Sequence, residues 1–306
     1  MASGSRKVIY AALIGNTLVS ITKFVAASLT GSSAIFSEGV HSVVDTGNQA
    51  LLLFGLKQAK KPADENYPFG HGKEIYFWSF VVAILIFALG AGISIYEGIR
   101  HVLHPVPIEN PAINYIVLGL AIIFEGGALY FAVKEFRLTK GGMGYLEAVH
   151  RGKDPSLFVV LFEDTAALTG LLIALLGIAL GQATGVPIFD GIASILIGIL
   201  LGVTAIWLAY ETKGLLIGES ASREVRLSIH RIAQQVDAVE HVNEVLTMHM
   251  GPEFILVNLS VDLRDNLRVG EVEKTIAALD RKIISKFPEV KRVFIEAEAR
   301  EGKESV

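Results

Sequence analysis

The sequence predicts a helical membrane protein: six transmembrane helices followed by a small cytoplasmic α+β domain. Three observations predict it. Hydrophobic residues fill 52% of the 306 positions and the mean hydropathy is +0.51, too apolar for an ordinary soluble domain. Runs near 8–29, 35–57, 75–100, 112–134, 156–180 and 188–211 each reach the roughly 20 mostly apolar residues that a bilayer crossing needs. After Glu211 the texture changes to amphipathic and alternating segments.

The first run follows the basic flank Arg6–Lys7. It resembles a signal peptide, but no small-residue cleavage site precedes a polar mature region, so it reads as a retained first span. Beyond span six, SREVRLSIHRIAQQV has helical apolar spacing. VNEVLTMHM and FILVNLSVDLRD alternate and are β-branched, VGEVEKTIAALDRKIISKF is helical again, and VKRVFIEAEAR alternates. Helix, strand, strand, helix, strand is a small α+β domain. The division expected is 1–211 for the membrane domain and 212–306 for the soluble one.

Orientation follows from the connections. Lys57, Lys60, Lys61 and Lys73 flank the link after span two, and Lys134, Arg137, Lys140, Arg151 and Lys153 the link after span four. The other links are nearly free of positive charge, so both termini and the soluble domain are expected in the cytoplasm. A net charge of −4 gives no reason to expect a nucleic-acid partner. With no cysteine, disulfide and thiolate chemistry are excluded, and any metal site falls to His, Asp, Glu and Asn.

The polar residues inside the spans carry the functional signal. Span two reads AIFSEGVHSVVDTGNQALLLFGL and sets Ser37, His41 and Asp45 at intervals of four, with Glu38 and Asn48 near the same face. An ionisable group in hydrocarbon costs at least ~2.5 kcal/mol. Two on one face therefore look onto a cavity, a partner helix or an ion. A His–Asp hydrogen bond that only joins helices is the plainer alternative. Span five, SLFVVLFEDTAALTGLLIALLG, adds Glu163 and Asp164. Adjacent residues point about 100° apart on a helix, so usually only one of them faces span two. A histidine and two carboxylates, completed by oxygen or water, suit a borderline divalent cation such as zinc. In span six, Asp190, Ser194, Gly198 and Gly202 recur every four residues. They read as a packing stripe, with Asp190 as that helix's own N-cap.

These residues resemble the cation diffusion facilitators, a family of zinc and manganese transporters, over nearly the whole chain. The resemblance rests on HSVVD in span two, PADENYPFGHGKE after it, a carboxylate in span five, the Asp opening span six, and FILVNLSVDLRDNL in the soluble domain. EDTAAL in span five is similar to a branch with mitochondrial and bacterial members. The resemblance implies a ferredoxin-like, metallochaperone-like soluble domain and a homodimer. It also implies a transport site with two residues from span two and two, four apart, from span five. His41, Asp45 and Asp164 match, but Val160 stands where a His or Asp is usual. Glu163, Asn48, Glu38, Asn16 or water are the candidates to replace it. The loop implies a second zinc at Asp64 and His71, although Tyr67 stands where another His often sits. Lys73, paired in the family with an acid after span six, has Glu219 as its candidate partner. A snorkelling Lys and a capping acid would read the same. In the soluble domain Asn243 and Asn258 stand at positions where histidines bind zinc, leaving Glu296, Glu298 and His249. Lys23, Glu97 and Arg100 read as snorkelling toward the outer face, and Glu125 has no assigned role.

The function expected is a secondary transporter exporting a divalent cation, zinc first and manganese, iron or cobalt as alternatives, in exchange for protons. No resident cofactor is expected: the metal is cargo and H+ the counter-ion. The host membrane is a bacterial plasma (inner) membrane or an organelle's. A membrane-anchored metal sensor is the second class. A metalloenzyme is disfavoured, because HExxH, GxSxG and cysteine nucleophiles are all missing.

Overall fold

In hydrocarbon every backbone N–H and C=O has to be satisfied within its own segment, and each apolar run folds as one helix. The structure, a computed structural model, describes residues 3–108, 110–140, 144 and 155–299. The helices are α1 (Ser3–Thr30), α2 (Ser33–Ala59), α3 (Glu74–Leu103), α4 (Pro111–Lys140), α5 (Pro155–Thr184) and α6 (Ile188–Ile217). Among the described residues α3, Pro111–Lys134, Phe158–Thr184 and α6 are long and apolar enough to cross a bilayer. Composition alone thus supports four of the six expected crossings among the described residues. The apolar run of α2 is interrupted by Glu38, His41, Asp45, Asn48 and Gln49. Arg151 and Lys153 of the basic link lie outside the described residues, as do the side chains of Arg6, Lys7 and Lys140.

α1 and α2 form an antiparallel hairpin. The turn needs a left-handed residue, and Gly31 supplies it with φ +69°. Across the hairpin Phe24 meets Phe36 edge-on at 5.6 Å. The small-residue stripe of α6 packs against α3: a Cβ on Gly198 would lie 2.9 Å from the Ile95 nitrogen, and Ser194 Oγ donates to the Ser94 carbonyl at 2.8 Å.

Asp190 does not cap its own helix. It lies inside the first turn of α6 and reaches across to the start of α2. Its Oδ2 accepts from the Ser33 amide at 2.6 Å, from Ser33 Oγ at 2.9 Å and from the Ala34 amide at 3.4 Å; its Oδ1 accepts from Ser32 Oγ at 2.6 Å. The orphan amides of a helix N-terminus attract a carboxylate wherever it comes from. Here the fold brings it from the other end of the domain.

The C-terminal domain has the expected order: α7 (Arg223–Gln234), β1 (Val239–Gly251), β2 (Phe254–Leu263), α8 (Val269–Lys286) and β3 (Val290–Ala297). The sheet runs β1-β2-β3, with β1 antiparallel and β3 parallel to β2. Ile255, Val257, Leu259 and Val261 alternate along β2 and are buried with Ile229, Ile232 and Ala233 of α7 and Leu279 and Ile283 of α8. Each of the Ile, Leu and Val side chains contributes roughly 1.5–3 kcal/mol of burial. Ser222 caps α7 through the Val225 amide.

The chain divides into two compact units, Met1–Lys57 with Ile75–Lys213 and Gln58–Glu74 with Gly214–Val306. The loop between α2 and α3 therefore folds with the soluble domain. Phe69 meets Phe294 at 6.5 Å. Gly72 lies so close to β1 that a Cβ there would run into the Met250 carbonyl oxygen.

Candidate metal centre

The polar face of α2 is buried. Glu38, His41 and Asn48 are 0–1% exposed. His41 Nδ1 stands 3.3 Å from Asp45 Oδ1, as a spacing of four on one helix requires. Buried polar atoms are nearly always hydrogen-bonded, yet His41 Nδ1 and Nε2, Asp45 Oδ1, Asn48 Oδ1 and Glu38 Oε1 have no protein hydrogen-bond partner among the described residues. They form a row over ten residues of helix, about 15 Å at 1.5 Å per residue. Buried oxygen and imidazole nitrogen atoms without a protein partner can serve as donors for a cation.

α5 meets this face at two levels. Asn48 Nδ2 donates to Glu163 Oε1 at 2.7 Å, and Gly170 abuts Glu38 Oε1. Between those levels α5 presents the small buried residues Ala166 and Ala167. Glu163, 4% exposed, is the span-five acid hydrogen-bonded to α2. Asp164 is less buried. Val160 is half-buried and offers no donor. Among the described residues no three His, Asp or Glu side chains are gathered closely enough to hold one ion. The structure brings together His41 with Asp45 and Asn48 with Glu163, and Asp164 follows Glu163 on α5 without a contact to either pair among those it shows.

The profile of the cation efflux transmembrane domain matches residues 9–217. This chain belongs to the cation diffusion facilitator family. The facilitator is 34% identical over 261 residues to the human mitochondrial proton-coupled zinc antiporter SLC30A9, covering 85% of this chain and 46% of that one. It is 32% identical over 267 residues to metal tolerance protein C4 of Arabidopsis thaliana, covering 87% and 58%. To the cation-efflux pump FieF of Escherichia coli it is 25% identical over 286 residues, covering 93% and 89%. The chain spans about half the length of the human and plant relatives. The family consists of cation transporters and not enzymes, and this member is a multi-pass membrane protein.

The facilitator's loop brings its other two candidate ligands together. His71 Nε2 donates to Asp64 Oδ2 at 2.9 Å, and Asp64 Oδ1 accepts from the amides of Asn66 at 2.9 Å and Tyr67 at 2.8 Å. The His71 hydrogen bond, followed by that from the Tyr67 amide, holds the Asp64 carboxyl below its ordinary range. Tyr67 stacks on the His71 ring at 4.4 Å. Lys73 Nζ lies 3.8 Å from Met248 Sδ on β1, and the Glu219 carbonyl accepts from the His249 amide next to it at 3.0 Å. Both residues thus gather at the same stretch of β1. In the sheet, Ser260 Oγ donates to Glu298 Oε2 at 2.7 Å, and Asn258 Nδ2 lies 3.4 Å from Glu296 Oε1.

Lys23 does not snorkel. It is fully buried, its Nζ 3.2 Å from Glu38 Oε2 and 2.7 Å from Ser42 Oγ. A signal for this was present in the sequence: Lys23 and Glu38 lie nearly equidistant from the Gly31 turn, so a helical hairpin sets them side by side. Arg100, by contrast, is exposed and pairs with Glu97 at 3.5 Å.

Proposed function

We propose that this chain is a proton-coupled antiporter that exports a divalent cation, zinc first, from the cytoplasm through six membrane-crossing helices. The row of buried, unpartnered polar atoms on α2 carries the reading. Helix glue would pair these atoms with one another, whereas a transport site keeps them bare for an ion. His41 and Asp45 are the first ligands, and Asp164 and Glu163 of α5, not gathered with them in this structure, would complete the shell as α5 moves onto α2. Asn48 takes the place that Val160 vacates, acting through its bare Oδ1. The 34% identity to a proton-coupled zinc antiporter supports zinc and protons as the exchanged ions.

The chemistry follows from competition. An imidazole and a carboxylate bind metal only when unprotonated, so metal entry releases protons and proton entry releases metal. An unperturbed imidazole titrates near neutrality, which suits exchange across a modest pH gradient. Rocking of α5 against α2 about the midplane would close the ligand shell on one side and open it on the other. The basic links support both termini in the cytoplasm. The soluble domain is proposed to pair two copies, and the Asp64–His71 loop to hold a second zinc.

The test is flux into proteoliposomes with an inside-acid gradient, comparing zinc, manganese, iron and cobalt. Zinc uptake is expected in the wild type, with losses of about 100-fold in His41→Ala, Asp45→Ala and Asp164→Ala, each loss corresponding to ~2.7 kcal/mol. Full transport by all three variants would remove the α2 site. No flux for any metal would leave the sensor reading in its place.

A further inference from the structure

The buried Lys23 has no place in ligand exchange as described, yet its partner Glu38 belongs to the row of bare atoms. A buried ammonium without partners costs several kcal/mol. Lys23, at 0% exposure, has two partners, Glu38 Oε2 and Ser42 Oγ. Ser42 follows His41 directly, and Glu38 lies one turn before it. If the pair served only to hold α1 to α2, packed apolar residues would do the same at no desolvation cost. A carrier has a different need: its site has to bind strongly enough to load and weakly enough to empty. Several carboxylates in a low-dielectric interior bind a divalent ion too tightly to let it go.

We propose that Lys23 is a built-in counter-cation, tethered to α1, whose charge tunes how tightly the His41–Asp45 site holds a divalent ion. Glu38 is its positioning partner: it holds the ammonium one turn from the site and offsets part of its field. The ammonium weakens the site for doubly charged cargo and speeds its release. The inference rests on the reading of His41 and Asp45 as the transport site.

The experiment measures the half-saturating zinc concentration for flux by the full chain in proteoliposomes under one fixed pH gradient. The proteins are wild type, Lys23→Met, Glu38→Gln, the double variant and His41→Ala, with folding followed by monodispersity and circular dichroism. Lys23→Met removes a repelling charge, so half-saturation falls on the order of tenfold and the maximal rate drops as release slows. Glu38→Gln leaves the ammonium unopposed, so half-saturation rises on the order of tenfold. The double variant, which removes a neutral pair, returns close to wild type. A structural strut moves neither value and lowers only the yield or the maximal rate. Shifts of the two single variants in the same direction, or unchanged half-saturation in both, overturn the counter-cation. If one single variant does not fold, the sign of the other decides. Loss of flux in His41→Ala together with an unmoved Lys23→Met overturns the counter-cation and spares the site. Undiminished flux in His41→Ala overturns the site and the counter-cation with it.

Discussion

Single atoms decide what the α2 face can do. Gly170 of α5 abuts Glu38 Oε1, and Glu38 is itself held by Lys23 at 3.2 Å, so its carboxylate has no free direction in which to retreat. Gly170→Ala should therefore destabilise the membrane unit by about 1–3 kcal/mol, read as a lower thermal midpoint of the purified protein. Gly119→Ala, where an added Cβ meets nothing within 4 Å, is the control. Equal midpoints for the two variants would mean that α2 and α5 do not approach as described. The same closeness explains why the second span-five acid is hard to assign from spacing. Glu163 and Asp164 are consecutive, and only packing turns Glu163 onto Asn48.

At the scale of elements, helices borrow their ends from elsewhere. α2 is capped locally by Ser32, whose Oγ accepts from the Ile35 amide at 3.2 Å, and Asp190 of α6 supplies the acceptor for the Ser33 and Ala34 amides. Asp190→Ala should cost about 1–2 kcal/mol and speed amide hydrogen exchange at residues 33–34, with the start of α6 unaffected. Faster exchange at the start of α6 instead would return Asp190 to its own helix. The loop between α2 and α3 is tied in a similar way by Asp64. Its folded carboxyl lies below its ordinary value, near 3.9. The resulting stabilisation of the loop is complete above that value and fades as pH falls through the folded one. A nuclear magnetic resonance titration of Asp64 should move up toward the ordinary carboxylate range in His71→Ala, since His71 is the largest cause of the depression. An unmoved titration would assign the depression to the turn amides alone.

In the whole molecule, a loop from the membrane half of the sequence folds with the soluble half. Residues 58–74 cluster with the chain from Gly214 onward, held where Gly72 meets Met250 and Phe69 meets Phe294. Gly72→Val should break that contact and expose Lys60 and Lys61 to faster tryptic cleavage, with flux as a second readout; an unchanged cleavage rate would mean that the loop is held by something else. The sequence by itself determined the six helices, the α-β-β-α-β order and the joint face of His41, Asp45 and Asn48. Each of these is written in local periods of 3.6 or 2 residues, and neighbours along the chain carry them. Tertiary structure alone decided that Lys23 is buried against Glu38, that Asp190 caps α2 from 157 residues away from Ser33, and that Glu163 rather than Asp164 bonds to α2. It also decided that the α2–α3 loop belongs to the soluble domain. The physical reason is that a buried polar atom takes whichever partner the packing brings within about 3 Å, and no local pattern records which distant segment that will be.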